Sequence, residues 1–343
     1  MPDSRHPALA RFSPRAVGMA AAVVTVLIWT SFILIARASN DPARGGVLTP
    51  LDIAYCRILG ASLILLPWGA WLVRQDRARG VWRSSLLGMS PLPNYITVKV
   101  GFFGGLLYAL LAYSGFVYAP ALHASVLMPG SLPLWTALLA IWLLRERITP
   151  ARAMGLAMIV VGDLLVGGLS LLHAFDGGTV WRGDVLFMTA AMCWATYSVL
   201  ARHYKLDAVR ATIALTTFAC VTYLPMYTAL ALTGVVKAQI FHAPLRDVLF
   251  QMVFQGWGSV VISGVTFTQM IRHFGPVRST MITALVPGLS ALGAVLLLGE
   301  PLHWNLALGL LLVTGGILFG VRVAVPGKVK DIAASPVLTR AGG

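Results

Sequence analysis

The chain has 343 residues, of which 58% are hydrophobic and only 11% charged, and its formal net charge is +14. A soluble domain carries about a quarter charged residues, so this composition excludes a water-soluble fold and points to a chain that crosses a membrane many times. The excess positive charge lies in short clusters between apolar runs, a distribution that suits a membrane surface and argues against a nucleic-acid partner.

Residues 1–15 contain Arg5, Arg11 and Arg15 and read as a basic cytosolic tail. The apolar run that follows has small residues at Ala36 and Ala38, as a cleavable signal would. Its likeness to a later stretch speaks against cleavage: Trp29, Ala36 and Arg37 match Trp194, Ala201 and Arg202 at one offset of 165. Taking about twenty mostly apolar residues as a span, the sequence predicts ten. They cover 16–37, 51–73, 100–118, 122–144, 151–172, 184–202, 210–233, 247–271, 277–299 and 303–323. Pro91, Pro93 and Lys99 interrupt the approach to the third. Residues 173–183 read as an extracytoplasmic linker and 324–343 as a mobile cytosolic tail.

One stretch occurs twice. Pro133, Glu146, Gly155 and Gly162 are repeated as Pro287, Glu300, Gly309 and Gly316, each 154 positions on. Glycines seven residues apart share a helix face, where a neighbouring backbone can approach closely. The chain therefore divides into related halves, 16–172 and 184–323. With the N-terminus inside, 20 of the 26 Lys and Arg fall on the inner side and five on the outer, and Arg57 lies within a span. That bias predicts both termini in the cytosol. Five spans per half then place the second half upside-down relative to the first. The predicted fold is all-α, ten transmembrane helices as two inverted five-helix repeats, an arrangement used for alternating access about a site near the bilayer midplane.

Trp29, the run Arg57-Ile-Leu-Gly-Ala-Ser-Leu-Ile-Leu-Leu-Pro67 and the doubled Pro…Glu…Gly…Gly stretch resemble the EamA family of the drug/metabolite transporter superfamily over about residues 16–323. The resemblance implies transport of a small metabolite, often export of an amino acid or related compound. It also implies a central cavity lined by spans one, three, four, six, eight and nine. The sequence departs from that pattern with Asp163 in span five and with Met128-Pro129-Gly130-Ser131, which gives span four a second proline.

Cavity candidates follow from polar or aromatic residues at mid-span. Trp29 and Trp194 lie away from the headgroup level where Trp normally gathers; they either face the cavity or fill a helix interface. Gln251, Gln255, Ser259 and Ser263 recur every four residues on span eight, as cavity lining or interhelical glue. Tyr108, Trp135 and Tyr197 complete the aromatic set. Gly101 and Gly105 read as packing positions. Pro129 and Pro133 break the hydrogen-bond ladder of span four and free carbonyl oxygens, unless Ser125 or Ser131 satisfies them. His123 is a candidate for proton coupling, because an imidazole can change charge at physiological pH, against an ordinary interfacial role. Arg57 lies about 9 Å along span two at 1.5 Å per residue; it is a candidate for coupling or gating, and for pairing with Asp163, unless it reaches the surface. Asp163 is the mid-membrane carboxylate, a functional candidate by its cost. Glu146 and Glu300 read as caps or gate anchors.

Cys56, Cys193 and Cys220 sit in apolar runs without metal-ligand spacing, and no phosphate-binding Gly-Lys-Ser/Thr loop occurs, so no metal or cofactor is expected. An enzyme is not expected either. Gly162-Asp163 has Val160 where an intramembrane aspartyl protease needs Gly, and a second mid-membrane Asp is missing. The expected function is a secondary transporter of the inner membrane, with a small-molecule substrate and the lipid bilayer as partners. The aromatic lining suits an amino acid, an aromatic compound or a lipophilic cation. The lack of a central Lys or Arg pair argues against sugar phosphates. A proton-coupled exporter of cationic or multiple drugs is the alternative.

Overall fold

The computed structural model describes residues 14–145 and 148–323. Glu146 and most of both expected tails lie outside the described residues. Among those residues every regular element is helical, as a lipid environment requires, because a helix satisfies its backbone groups within itself.

Among the described residues nine helices are long and apolar enough to cross a bilayer: α1 (Arg15–Ser39), α2 (Pro50–Ala78), α3 (Asn94–Tyr118), α4 (Ala121–Leu144), α5 (Arg152–Asp176), α6 (Val180–His203), α7 (Ala208–Leu232), α8 (Leu245–Phe274) and α9 (Met281–Leu298). The tenth, α10 (Trp304–Val323), has a shorter apolar stretch. The ten expected spans are all present. Their starts carry local signals: Thr49 and Asp52 form a reciprocal capping box ahead of Pro50, and Asp207 accepts the backbone N–H of Arg210. The largest boundary difference is at α3, which starts at Asn94 rather than near residue 100. Lys99 is accommodated there because its amine reaches the Tyr204 hydroxyl at 3.1 Å, at the helix bundle's edge.

The most extensive helix pairings form a symmetric set. Helix α5 packs on α10 and α2 on α7; α1 packs on α8 as α3 does on α6; α1 packs on α9 as α4 does on α6; and α2 packs on α8 as α3 does on α7. Moving every helix five places along the chain returns the same set. The repeated glycines show how this is achieved. A Cβ on Gly155 would lie 2.7 Å from the Gly316 carbonyl oxygen, and one on Gly162 would lie 2.7 Å from that of Gly309. The reverse contacts, from Gly309 to Gly162 and from Gly316 to Gly155, are 2.9 and 2.5 Å. These reciprocal pairs make α5 and α10 antiparallel, with backbones touching where side chains are absent.

The irregularities are paired too. Helix α3 is π-helical over Gly101–Leu107, and α8 over Met252–Ile262. Adding 154 to the first interval gives 255–261, inside the second. Helix α4 breaks between Leu127 and Leu132, and the helical backbone entering α9 breaks at Ala284 before resuming at Leu285. The doubled prolines lie just past these breaks, where a proline costs no backbone bond.

Candidate functional site

A cavity of about 360 Å³ opens between the two halves, within the size range of small-molecule sites, about 300–1,000 Å³. Residues from α1, α2, α3, α4, α6, α7, α8 and α9 line it. Helices α2 and α7 are additions to the expected six. The lining includes the first residue of α7, Ala208, and Thr283 at the entry to α9, so the cavity runs toward the face where α1 begins. It stops short of the other face. There Phe32, Tyr113, Phe116 and Phe187 pack edge to face, with centroids 5.9, 6.5 and 4.9 Å apart along the chain of contacts, and all four are buried.

Of the sequence candidates, Trp29, Arg57, Tyr108, Pro129, Trp194, Tyr197, Ser259 and Ser263 line the cavity. Three aromatic contacts build its walls: Trp29 on Phe267 at 5.2 Å, Tyr108 on Trp194 at 4.9 Å and Trp194 on Tyr197 at 5.1 Å. Gly104 and Gly105 leave room beside Tyr197 and the Leu215 backbone, where a Cβ would lie 2.6 and 2.7 Å from its neighbours.

Five candidates lie elsewhere. The Trp135 indole donates to Met188 Sδ at 3.3 Å, on the α4–α6 interface. Gln255 is fully buried and accepts the Tyr113 hydroxyl at 2.9 Å. Gln255 packs behind the cavity, while Ser259 and Ser263 line it. His123 Nδ1 lies 2.8 Å from Asp184 Oδ1, and the Ser170 hydroxyl donates to the other carboxylate oxygen. This trio ties α4, α5 and α6 together. Asp163 is 5% exposed, and neither of its oxygens has a hydrogen-bond partner. It sits on the α5 side, next to the Gly162–Gly309 contact and outside the cavity lining.

Span four is held as a fixed kink at one carbonyl, since the Ser131 hydroxyl donates to Leu127 O at 2.6 Å. Pro129 reaches the cavity; Pro133 does not line it.

The cavity has one charged lining residue among those described, Arg57. Its guanidinium turns inward at the closed end, where Nη1 donates to Ser259 Oγ at 3.1 Å and the carbon centre lies 5.7 Å from the Phe32 ring centroid. The surface-reaching conformation that the sequence allows is not the one adopted. Residues that sequence reasoning missed are Phe32 and Phe267. Phe32 was accessible in principle, three positions beyond Trp29 and hence on the same helix face.

Beyond the closed end, Glu300 caps α4: the Ala121 and Leu122 N–H groups donate to its two oxygens at 2.9 and 3.0 Å. A carboxylate at a helix N-terminus is favourable for both the orphan donors and the helix dipole. Arg37 approaches the same carboxylate at 3.5 Å and donates to Phe116 O at 2.9 Å, and Arg44 donates to Leu298 O at 2.5 Å. The ends of α1, α3 and α9 are thereby stitched to the start of α4.

The profile of the EamA-like transporter family matches residues 16–168 and, a second time, 181–322. Among curated relatives, an uncharacterized transporter of Archaeoglobus fulgidus is 25% identical over 298 residues, covering 86% of this chain and 93% of the relative. The WAT1-related protein At4g08300 of Arabidopsis thaliana is 24% identical, with 81% and 78% covered. The uncharacterized transporter YyaM of Bacillus subtilis is 24% identical over 66% of this chain and 72% of its own length. A solved structure described only as the crystal structure of a protein has the same fold at a TM-score of 0.54, with 23% identity, 91% of this chain and 99% of the other being covered.

Proposed function

This chain belongs to the EamA-like transporter family and is a multi-pass membrane transporter, and we propose that it is a secondary carrier working by alternating access through the cavity between its halves. The observation that carries the proposal is the cavity's asymmetry. It is open toward the face where α1 begins and sealed at the other by the Phe32–Tyr113–Phe116–Phe187 cluster and by Glu300. A molecule related to itself by exchange of halves can take up the mirrored state, sealed where it is now open.

The charge bias puts the open face in the cytosol of a cell whose inner membrane holds the protein, with both termini there. Loading from that side supports export. The substrate is a small metabolite with flat apolar surface, in the range of amino acids and related acids. A proton-coupled exporter of cations fits less well, because the described lining holds no carboxylate and His123 is engaged with Asp184.

Comparing metabolites inside and outside cells that over-express or lack the chain identifies a substrate. Reconstituted liposomes preloaded with it should then show saturable counterflow of label, reduced about tenfold or more by Trp194→Ala (loss of about 1.4 kcal/mol or more of binding). Linear, unsaturable flux would reject a carrier.

A further inference from the structure

Arg57 is out of place in an apolar cavity. A guanidinium taken from water is expensive unless paired, and its five donors have a fork geometry that matches a carboxylate. Here Ser259 takes one donor, the Tyr113 hydroxyl also lies against the group, the Phe32 face takes the cation's flank, and no ion-pair partner is present among the described residues. The guanidinium is partly buried at the closed end of an open cavity, so its remaining donors are available to a partner that arrives with the substrate. The same cavity is lined by the aromatic side chains of Trp29, Tyr108 and Trp194.

We infer that Arg57 is the anchor for the substrate's charge, and that the substrate is a small organic monoanion, a carboxylate on a flat apolar body without an ammonium group. The inference rests on the carrier reading of the same cavity. A monocarboxylate neutralises the one guanidinium bidentately while its body stacks on the aromatic walls. A dianion would keep an unpaired charge. A zwitterion would bring an ammonium to a lining without a carboxylate, and a cation would meet Arg57 itself with no counter-charge.

The test uses the purified full-length chain in liposomes and three probes of one shape: 3-phenylpropionate, phenylalanine and 3-phenylpropylamine. Binding is read from quenching of tryptophan fluorescence, since Trp29 and Trp194 line the cavity, and transport from counterflow. The expected order of affinity is anion, zwitterion, cation. Arg57→Gln should weaken 3-phenylpropionate at least about tenfold, the loss of a charge-assisted pair, and leave the amine's affinity unchanged or improved. Arg57→Lys should recover part of the loss, because it keeps the charge and loses the fork. Where Arg57→Gln does not fold, Ser259→Ala, which frees the guanidinium from its hydroxyl partner, gives the second reading through a changed anion affinity at constant amine affinity.

Saturable binding of 3-phenylpropionate without counterflow would leave the anchor standing and remove the carrier. Counterflow of the amine or of phenylalanine with an affinity equal to or above the anion's, or anion affinity within twofold of wild type in Arg57→Gln, would overturn the anchor and leave the carrier intact. So would the absence of saturable anion binding.

Discussion

At the scale of single residues, two buried carboxylates differ in what they touch. Asp52 is fully buried and accepts from the Thr49 backbone and hydroxyl at 2.8 and 2.7 Å, from the Tyr227 hydroxyl at 2.5 Å, and from the Gln239 and Ile240 backbones at 3.2 Å. It caps α2 and also holds the α7–α8 connection, so Asp52→Ala strands several donors at once. The expected loss is about 3 kcal/mol or more, read as a lowered midpoint of thermal unfolding in detergent. Asp163 is the opposite case, a buried carboxylate with no partner for either oxygen. Replacing it by Leu, of similar size, should stabilise the protein by about 1–3 kcal/mol by removing an unsatisfied group. Loss of transport in a well-folded Asp163→Leu protein would instead give Asp163 a part in the cycle. Asp163 stands out in the sequence as a carboxylate at mid-span; Asp52 does not, and its role is visible only in its contacts.

At the scale of elements, the glycine-mediated crossing of α5 and α10 is the tightest test of packing. A side chain at Gly162 would drive into the Gly309 carbonyl and the Val313 side chain, each 2.7 Å from the added Cβ. Gly162→Val should therefore cost about 1–3 kcal/mol of overpacking or more. Gly315 is the control, because its Cβ would meet only the flexible end of Met158 at 3.2 Å; Gly315→Ala should leave the unfolding midpoint nearly unchanged. Equal effects at both positions would contradict the crossing. This helix contact was legible in the seven-residue glycine spacing, whereas the π-helical segments of α3 and α8 were not. A π turn adds a residue without any side-chain signature, so nothing in the sequence marks where it falls.

For the whole molecule, the closed face is where charge and packing act together. Arg37 and Glu300 join α1, α3, α4 and α9 outside a plug whose Phe116 is fully buried. In a protein with Cys56, Cys193 and Cys220 replaced by Ser, a cysteine at position 116 should react slowly with an aqueous thiol reagent. Adding Glu300→Gln weakens the Arg37 contact and should speed that reaction about tenfold, a coupling in the usual range of about 1–3 kcal/mol. An unchanged rate would show that the Glu300 contacts do not help to keep this face shut.

The sequence by itself determined the class of molecule. Apolar runs of spanning length leave the backbone no choice but helix, and the 154-residue offset of Pro133, Glu146, Gly155 and Gly162 marks two related halves. It also marked out most of the aromatic lining, since large aromatics and hydroxyls at mid-span are rare and therefore conspicuous. Only the tertiary structure decided where Arg57 points. A long side chain near a helix end can reach water or turn inward, and the choice lies with Ser259 and Phe32, some 200 residues later in the chain and on a neighbouring helix respectively. Likewise Glu300 became a cap for α4 through proximity alone, because its partners at Ala121 and Leu122 are backbone N–H groups that every residue carries and no sequence can single out.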